Sequence, residues 1–463
     1  MGIFDNIRGG ILSFLFPQGD IDHERQEEMQ QRRNYRTGKH KVVIKPKPGK
    51  SDDNIYLNFS GLVIDRSVSM LFGKGVEFDL PGEGDETPED KYLQGVWDAN
   101  KKQIFLHRLA LLASEDGTGY IKVIPSGVFG RDGKEYARLV SVDPKWVTMR
   151  TNPEDFEQVI EYTIRFNTIG LDGKELARKQ VHTLQEDSTW MIEDYQASQA
   201  TSGKWALMDK ELFTDSTGKP LNFPQILHFQ NLPSADDVYG TPDLTDDLMR
   251  LQDKMNFVAS NLNKIIRLHA HPKTLGFGFG ADNKDVLNLD AGEMIMANNE
   301  NAFMKTLELQ SDLSSSSDFL RVLRQAFFDI TRTVDIDSIA DKLGALTNFG
   351  LKVLYLDTME KIETKKQLYG DALIELNRRL LVLGGFEKSD PGVVIWPEIM
   401  PVNGFEVSNE LTADINMGIL DKKSAAIIKG YDWEMVQERL AGEQVEQGNV
   451  GEQILRGFLG GRQ

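Results

Sequence analysis

Leu244, Leu248, Leu251, Met255, Val258, Leu262 and Ile265 recur at alternating steps of four and three. That spacing lays one apolar stripe along a helix and fits no strand, whose faces repeat every second residue. Thr241 is read as the N-cap and Pro242 as the first helical residue, where its missing N–H costs nothing. Pro242–Leu268 is then a rod of roughly 40 Å. Its opposite stripe carries Asp246, Arg250, Asp253, Ser260, Lys264 and Arg267.

Two further amphipathic stretches follow. Leu320, Leu323, Phe327, Ile330 and Val334 share a face of a helix starting near Ser317. Leu351, Tyr355, Met359, Ile362, Tyr369, Leu373, Leu376, Leu380 and Leu383 keep the period from Thr347 to Leu383, with no proline inside and Gly384-Gly385 at the end. One helix over that stretch spans about 55 Å. A helical-bundle core or an intramolecular coiled coil uses such rods, and so does the wall of a large assembly. Between the first two lies a Gly-rich, strand-like excursion, and Asp335–Leu346 reads as a turn region without an apolar period.

The chain has 463 residues, room for about two to four domains with real cores. Charged residues make up 27%, an ordinary globular share that argues against wholesale disorder. Asp and Glu number 71 against 53 Lys and Arg, a formal net charge of −18. Tight nucleic-acid binders cover phosphates with Lys and Arg, so this balance excludes a conventional DNA binder. It does not exclude a surface past which DNA slides. There is no cysteine, hence no disulfide, zinc finger or thiol catalysis, and a cytosolic origin fits. No apolar run reaches the ~18 residues that span a bilayer. Ile11–Phe16 is apolar but short, and Asp5 and Arg8 precede it, so a docking helix is expected rather than a signal peptide. Asn6 stands where a myristoylation pattern wants Ser or Thr.

Arg32–Lys50 holds eight basic residues and no acid, with Pro46 and Pro48 making part of it an extended arm. Asn54–Phe72 reads as a helix ending at Gly73, with Gly75–Phe78 strand-like after it. Pro81–Pro88 is an acidic turn and Lys91–Leu112 another amphipathic helix. Gly117–Val123, Leu139–Met149, Val159–Phe166, Arg178–Thr183, Trp190–Tyr195 and Trp205–Leu207 read as strands. Asp132-Gly133 and Asp172-Gly173 mark hairpins. After Pro401 come short helices at Ser408–Asn416, Lys422–Lys429 and Asp432–Gln444, then a Gly-rich tail. No internal repeat has a fixed period.

The search for chemistry finds no supported enzyme site. A P-loop needs G-x-x-x-x-G-K-[ST]; Gly344 and Gly350 are one residue too far apart and Leu351 follows. Gly276-x-Gly278-x-x-Ala281 imitates a dinucleotide fingerprint but follows a helix, so a strand-kinking glycine run is the better reading. His269 and His271 lack an acidic or His partner at ligand spacing, and a His pair at a helix C-terminus is the better reading. Asp335, Asp337 and Asp341 suggest Mg²⁺ by proximity, but a solvated turn between helices uses the same residues. There is no G-x-S-x-G, no H-E-x-x-H, and no triad pattern among the seven histidines.

The order of elements resembles the portal proteins of tailed bacteriophages over roughly Asn54–Gln444. Asn58, Ile64-Asp65 and Leu71–Val76 resemble the family's early helix and its aromatic-Gly-x-x-Val turn. Gly117-Thr118-Gly119-Tyr120 resembles the following Gly-aromatic strand, and Val142-Asp143-Pro144 its Asp-Pro strand end. Ile226–Asn231 resembles the strand before the stem, Gly240-Thr241-Pro242-Asp243 the start of the first stem helix, and Thr347–Lys352 the start of the long helix, with Asn348-Phe349 where the family has small residues.

The resemblance implies a mainly helical α+β portal fold. Its parts are an N-terminal arm (1–53), an α/β wing (54–241), stem helix one (242–268), a small β-containing clip (269–316) and stem helix two (317–334). A tunnel loop (335–346), a long wing helix with the segment after it (347–400), a helical crown (401–446) and a tail (447–463) complete it. It further implies no catalysis, no cofactor and no metal. The implied role is a homo-oligomeric, usually dodecameric, ring at a capsid vertex of the virion, made in the host cytoplasm. Double-stranded DNA would be packaged and ejected through the ring, held weakly and without sequence preference. Terminase, tail adaptors, and the major capsid and scaffolding proteins are the implied partners, and the membrane is not one. Asp335, Asp337, Asp341 and Lys342 would then line the tunnel loop. Arg250, Lys264, Arg267, Arg321 and Arg332 would be channel-facing candidates. Pairing of these bases with Asp246, Asp253 and Asp318 between subunits is the competing reading. A non-channel helical assembly or tail-adaptor protein is the alternative role, and an enzyme with an unrecognised site a further one.

Overall fold

The computed structural model describes residues 23–46, 48, 52–81, 87–169, 175–198, 205–215, 217–235, 237–270, 274–277, 303–306, 313–336, 348–386, 389–399, 404–430, 433, 435, 437 and 439. The fold is α+β, in two compact units. One draws on residues 1–338 and 355–399, the other on 339–354 and 400–463.

The larger unit begins with α1 (His23–Arg36) and α2 (Phe59–Phe72). Asn58 caps α2 by accepting the Gly61 N–H at 3.1 Å, so the helix expected from Asn54 starts five residues later. β1 (Glu77–Asp79) follows. The helix expected over Lys91–Leu112 is two helices, α3 (Pro88–Ala99) and α4 (Lys102–Asp116). Thr87 and Asp90 form a capping box at the start of α3. The break falls at Lys101, which turns left-handed at φ +54°. Asn100 fixes it there: its amide donates to Val96 O and Ala137 O, both at 2.8 Å, and its oxygen accepts the Leu139 N–H at 2.8 Å.

β2 (Thr118–Phe129), β3 (Glu135–Val142) and β9 (Ile226–Gln230) make a three-stranded antiparallel sheet in the order β3-β2-β9. β4 (Val147–Asn152), β5 (Asp155–Ile169), β6 (Glu175–Leu184), β7 (Trp190–Ser198) and β8 (Ala206–Leu212) form an antiparallel meander in chain order. The strand expected over Leu139–Met149 is therefore two strands of different sheets. A single turn at Pro144–Trp146 divides them, capped by Asp143 on the Lys145 N–H at 2.9 Å.

α5 (Asp246–Ala270) and α6 (Leu313–Ile330) are the two stem-like helices, and they pack against each other. Between them β10 (Thr274–Phe277) pairs antiparallel with β11 (Phe303–Thr306), which agrees with a strand-bearing excursion. The remainder of that excursion lies outside the described residues.

The long helix is interrupted at Tyr355 into α7 (Asn348–Leu354) and α8 (Leu356–Leu383). α8 buries Ile362, Tyr369, Leu373, Leu376 and Leu380, as the apolar period requires. These residues close a core with α2, α3, α4 and the three-stranded sheet. A second core under the meander gathers Tyr120, Tyr162, Trp190, Phe213 and Phe223. β12 (Val393–Ile395) pairs with β1.

α1 is clamped to this unit by arginines. Arg33 meets Asp143 at 2.5 Å and also Asp116, and Arg36 meets Glu115 at 3.3 Å. Burial pushes Glu115 up to about 7 and Asp116 up to about 6, against the pull of those arginines.

In the smaller unit α9 (Gly404–Asn416) and α10 (Lys422–Ile428) follow the expected short helices, with Asp421 capping α10 on the Ser424 N–H at 2.8 Å. Most of the third expected helix, Asp432–Gln444, lies outside the described residues, as does the Gly-rich tail. Among the described residues no helix is long and apolar enough to cross a membrane.

Candidate functional site

α5 starts at Asp246, so Thr241 and Pro242 do not cap it. The Thr241 N–H donates to Leu232 O at 2.9 Å, and the Asp243 N–H donates to Ser114 O at 2.9 Å. This link is fixed by glycines. A Cβ on Gly117 would sit 2.3 Å from Gly240 O, and one on Gly240 would sit 2.4 Å from Gly117 O. Gly117 also takes φ +89°. Two motifs far apart in sequence, Gly117-Thr118-Gly119 and Gly240-Thr241, thus interlock backbone to backbone.

Along α5 the apolar stripe faces the core. Leu248 and Met255 are fully buried, as is Leu244 just ahead of the helix, while Leu251, Val258, Leu262 and Ile265 are half-buried. Ser260 of the polar stripe turns inward, together with Gln252 and Asn256 beside that stripe. Gln252, Asn256 and Ser260 are each 0% exposed and grip segment 53–60, which is extended to Asn58 and then enters the first turn of α2. Ser260 Oγ accepts the Ile55 N–H at 2.9 Å, and Asn256 Oδ1 accepts the Leu57 N–H at 2.9 Å. Gln252 Oε1 accepts the Ser60 N–H at 3.2 Å, and the Gln252 amide donates to Leu57 O at 2.5 Å. The geometry matches: two residues of extended chain rise about 6.6 Å and four of helix about 6 Å. The amides of Ile55 and Leu57, two apart in extended chain, therefore meet Ser260 and Asn256, four apart on the helix, and the third amide, Ser60, already lies in α2. Arg267 completes the ladder, donating from Nε and Nη2 to Asp53 at 2.8 and 2.7 Å.

The five stem cations consequently divide. Arg267 is held by Asp53 of its own chain. Arg321 pairs with Asp318 at 3.1 Å, one turn away and exposed, again within the chain. Arg250 and Lys264 are exposed and pair with no described acid. Arg332 ends α6 at φ +53° with its side chain exposed. Of their expected partners, Asp253 accepts Tyr35 OH at 2.7 Å, and Asp246 lies 3.9 Å from Arg32.

Of the tunnel-loop candidates, Asp335 is anchored rather than solvated: Arg324 Nη2 donates to it at 2.6 Å, and its side chain is 12% exposed. Asp337, Asp341 and Lys342 lie outside the described residues. Among the described residues no three of His, Asp and Glu gather as a metal site would require.

One buried cluster leaves little trace in the sequence. Asp243, three residues ahead of α5, is ion-paired with Lys361 at 2.9 Å and Lys365 at 2.5 Å, both from α8. Lys365 also donates to Ser67 Oγ at 2.9 Å and Ser114 Oγ at 3.2 Å. Lys361 donates to Thr331 O at 3.3 Å. Burial alone pushes the Asp243 carboxyl up. The two ammonium groups more than reverse this and hold it well below the usual carboxylate range. Burial lowers Lys365 to about 8 despite Asp243. The signal was a gap: the apolar period of α8 skips from Ile362 to Tyr369, and Lys365 fills the missing position.

A family model described as "Phage portal protein, SPP1 Gp6-like" matches residues 19–429. No curated protein matches. A solved structure described as "Neck of native GTA particle computed with C12 symmetry" is 14% identical over 81% of this chain and 91% of that one, at a TM-score of 0.42. That likeness is too slight to argue from. The family match spans most of the chain, and with it the interlocked glycines and helices α5 and α6: the chain belongs to the SPP1 Gp6-like family of phage portal proteins.

Proposed function

We propose that copies of this chain close into a ring at the phage head–tail junction and that the ring is a channel for double-stranded DNA. One observation carries this reading. On α6, Phe319, Val322 and Ile330 are 46%, 58% and 53% exposed. At 100° per residue they fall within an arc of about 80°. The other face of the same helix buries Phe327 and Phe328. A helix apolar on both faces needs a second partner. In a closed ring of identical subunits every copy supplies that partner to its neighbour. α5 adds Phe257 and Ile266 to the exposed apolar surface.

On this reading the subunit count is that of a dodecamer. Arg250, Lys264 and Arg332 are free to make weak phosphate contacts, whereas Arg267 and Arg321 act within the chain. Asp335 anchors the tunnel loop, and Asp337, Asp341 and Lys342 face the channel. A chain of net charge −18 holds DNA weakly, because few phosphates are neutralised. Packaging force comes from a separate terminase ATPase, and terminase, tail adaptors, and capsid and scaffolding proteins dock on the ring. Sedimentation of the folded protein at micromolar concentration tests the assembly. A single multi-subunit species is expected, and a folded monomer alone overturns the reading.

A further inference from the structure

Four of the described helices end on one backbone pattern, in which the residue after the cap turns left-handed and the next N–H reaches the carbonyl five residues back. At α1 that residue is Gly38 (φ +77°), with the Lys39 N–H on Asn34 O at 2.7 Å. At α8 it is Gly385 (φ +86°), with the Phe386 N–H on Leu381 O at 2.8 Å. At α9 it is Gly418 (φ +71°), with the Ile419 N–H on Asp414 O at 3.0 Å. At α6 it is Arg332 (φ +53°), with the Thr333 N–H on Phe328 O at 3.0 Å and the Arg332 N–H on Asp329 O at 3.1 Å. A Cβ in that conformation crowds the backbone carbonyl, which is why glycine serves at the other three.

The strained turn is held from outside its own helix. Thr358 Oγ1 donates to Arg332 O at 2.6 Å, and Lys361 Nζ donates to Thr331 O at 3.3 Å. Thr331, Thr358 and Lys361 are buried, so water does not compete for these carbonyls. The same Lys361 ammonium pairs with Asp243, ahead of α5. Beyond the turn, Asp335 returns to Arg324.

We propose that the end of α6 is a sprung turn: Arg332 stores the strain, Thr358 and Lys361 of α8 hold it shut, and its release lets the chain leaving α6 change direction. Because Lys361 serves both Thr331 and Asp243, opening the turn also disturbs the head of α5, so the two stem helices are coupled through one ammonium group. The turn immediately precedes the segment assigned above to the channel. Its consequence for DNA passage rests on that assignment, and the turn itself does not.

Hydrogen exchange read by mass spectrometry on the full chain tests this with three variants. Thr358→Val and Lys361→Met should each speed exchange of the amides of 331–336 about tenfold, leaving β5 and β6 of the meander unchanged. Arg332→Gly should slow exchange of the same amides about fivefold, because glycine takes the left-handed conformation without crowding. Unchanged exchange at 331–336 in the first two variants overturns the proposal. So does a rise of equal size over β5 and β6, which marks general destabilisation. Faster or unchanged exchange in Arg332→Gly overturns it independently, whether or not the ring forms.

Discussion

Replacing Asp243 by Ala removes the one carboxylate between two buried ammonium groups. Lys365 is fully buried and keeps only Ser67 Oγ at 2.9 Å and Ser114 Oγ at 3.2 Å, both neutral. Breaking a buried ion pair from one side costs about 3–5 kcal/mol, because the remaining charge stays desolvated. For a chain of this size that is a fall in Tm on the order of 3–5 °C. The loss has a pH signature. In the wild type Lys365 gives up its proton near pH 8 when folded and near its ordinary 10.5 when unfolded. Its contribution therefore adds stability as pH rises between those values. Without Asp243 the folded value drops further, and the window widens downward. The variant should regain part of its deficit as pH rises toward about 8, where Lys365 gives the wild type no such gain. Thermal unfolding followed by circular dichroism across that range reads both effects. A deficit under about 1 kcal/mol at neutral pH, or one constant over the range, would refute the buried-charge argument.

Three other changes probe separate parts. Leu251→Asp puts a carboxylate on the half-buried stripe of α5 at a cost of several kcal/mol; assembly or solubility should fail while the wing sheets keep their far-UV signal, and a normally assembling variant would show the stripe is not a packing face. Asn256→Ala leaves the Leu57 N–H without its acceptor, costing about 1–3 kcal/mol. Amides of 53–58 should then exchange faster than those of α8, and equal protection would show that the ladder does not hold the segment. Changing Asp337 and Asp341 together to Lys should leave ring formation intact, yet slow or block packaging in vitro by drawing phosphate to the constriction. Normal packaging by intact doubly substituted rings would remove both residues from the channel.

The apolar half of this fold was legible, and the contacts of the polar half were not. The period from Leu244 to Ile265 located α5, and that from Ile362 to Leu380 located α8, because burial of a continuous stripe leaves a sequence pattern. Ser260 lies on the polar stripe and Arg267 among the channel-facing candidates, yet both bond to segment 53–60 of the same chain. The discriminating signal was chemical type. Gln252, Asn256 and Ser260 are uncharged and four apart, a spacing suited to an extended backbone, whereas Arg250 and Lys264 carry full charge and are exposed. Helix ends were missed wherever a distant side chain set them. Asn100 divides α3 from α4 by bonding to β3, and nothing local announces it. The Asp243 cluster joins residues more than a hundred positions apart, so only the gap at Lys365 betrayed it.

The central claim is a ring with an open channel, and electron micrographs of the purified full-length protein test it most directly. The account predicts end-on views of closed rings with a central hole wide enough for duplex DNA. Discs with no hole, or dispersed single subunits from folded protein, would contradict it.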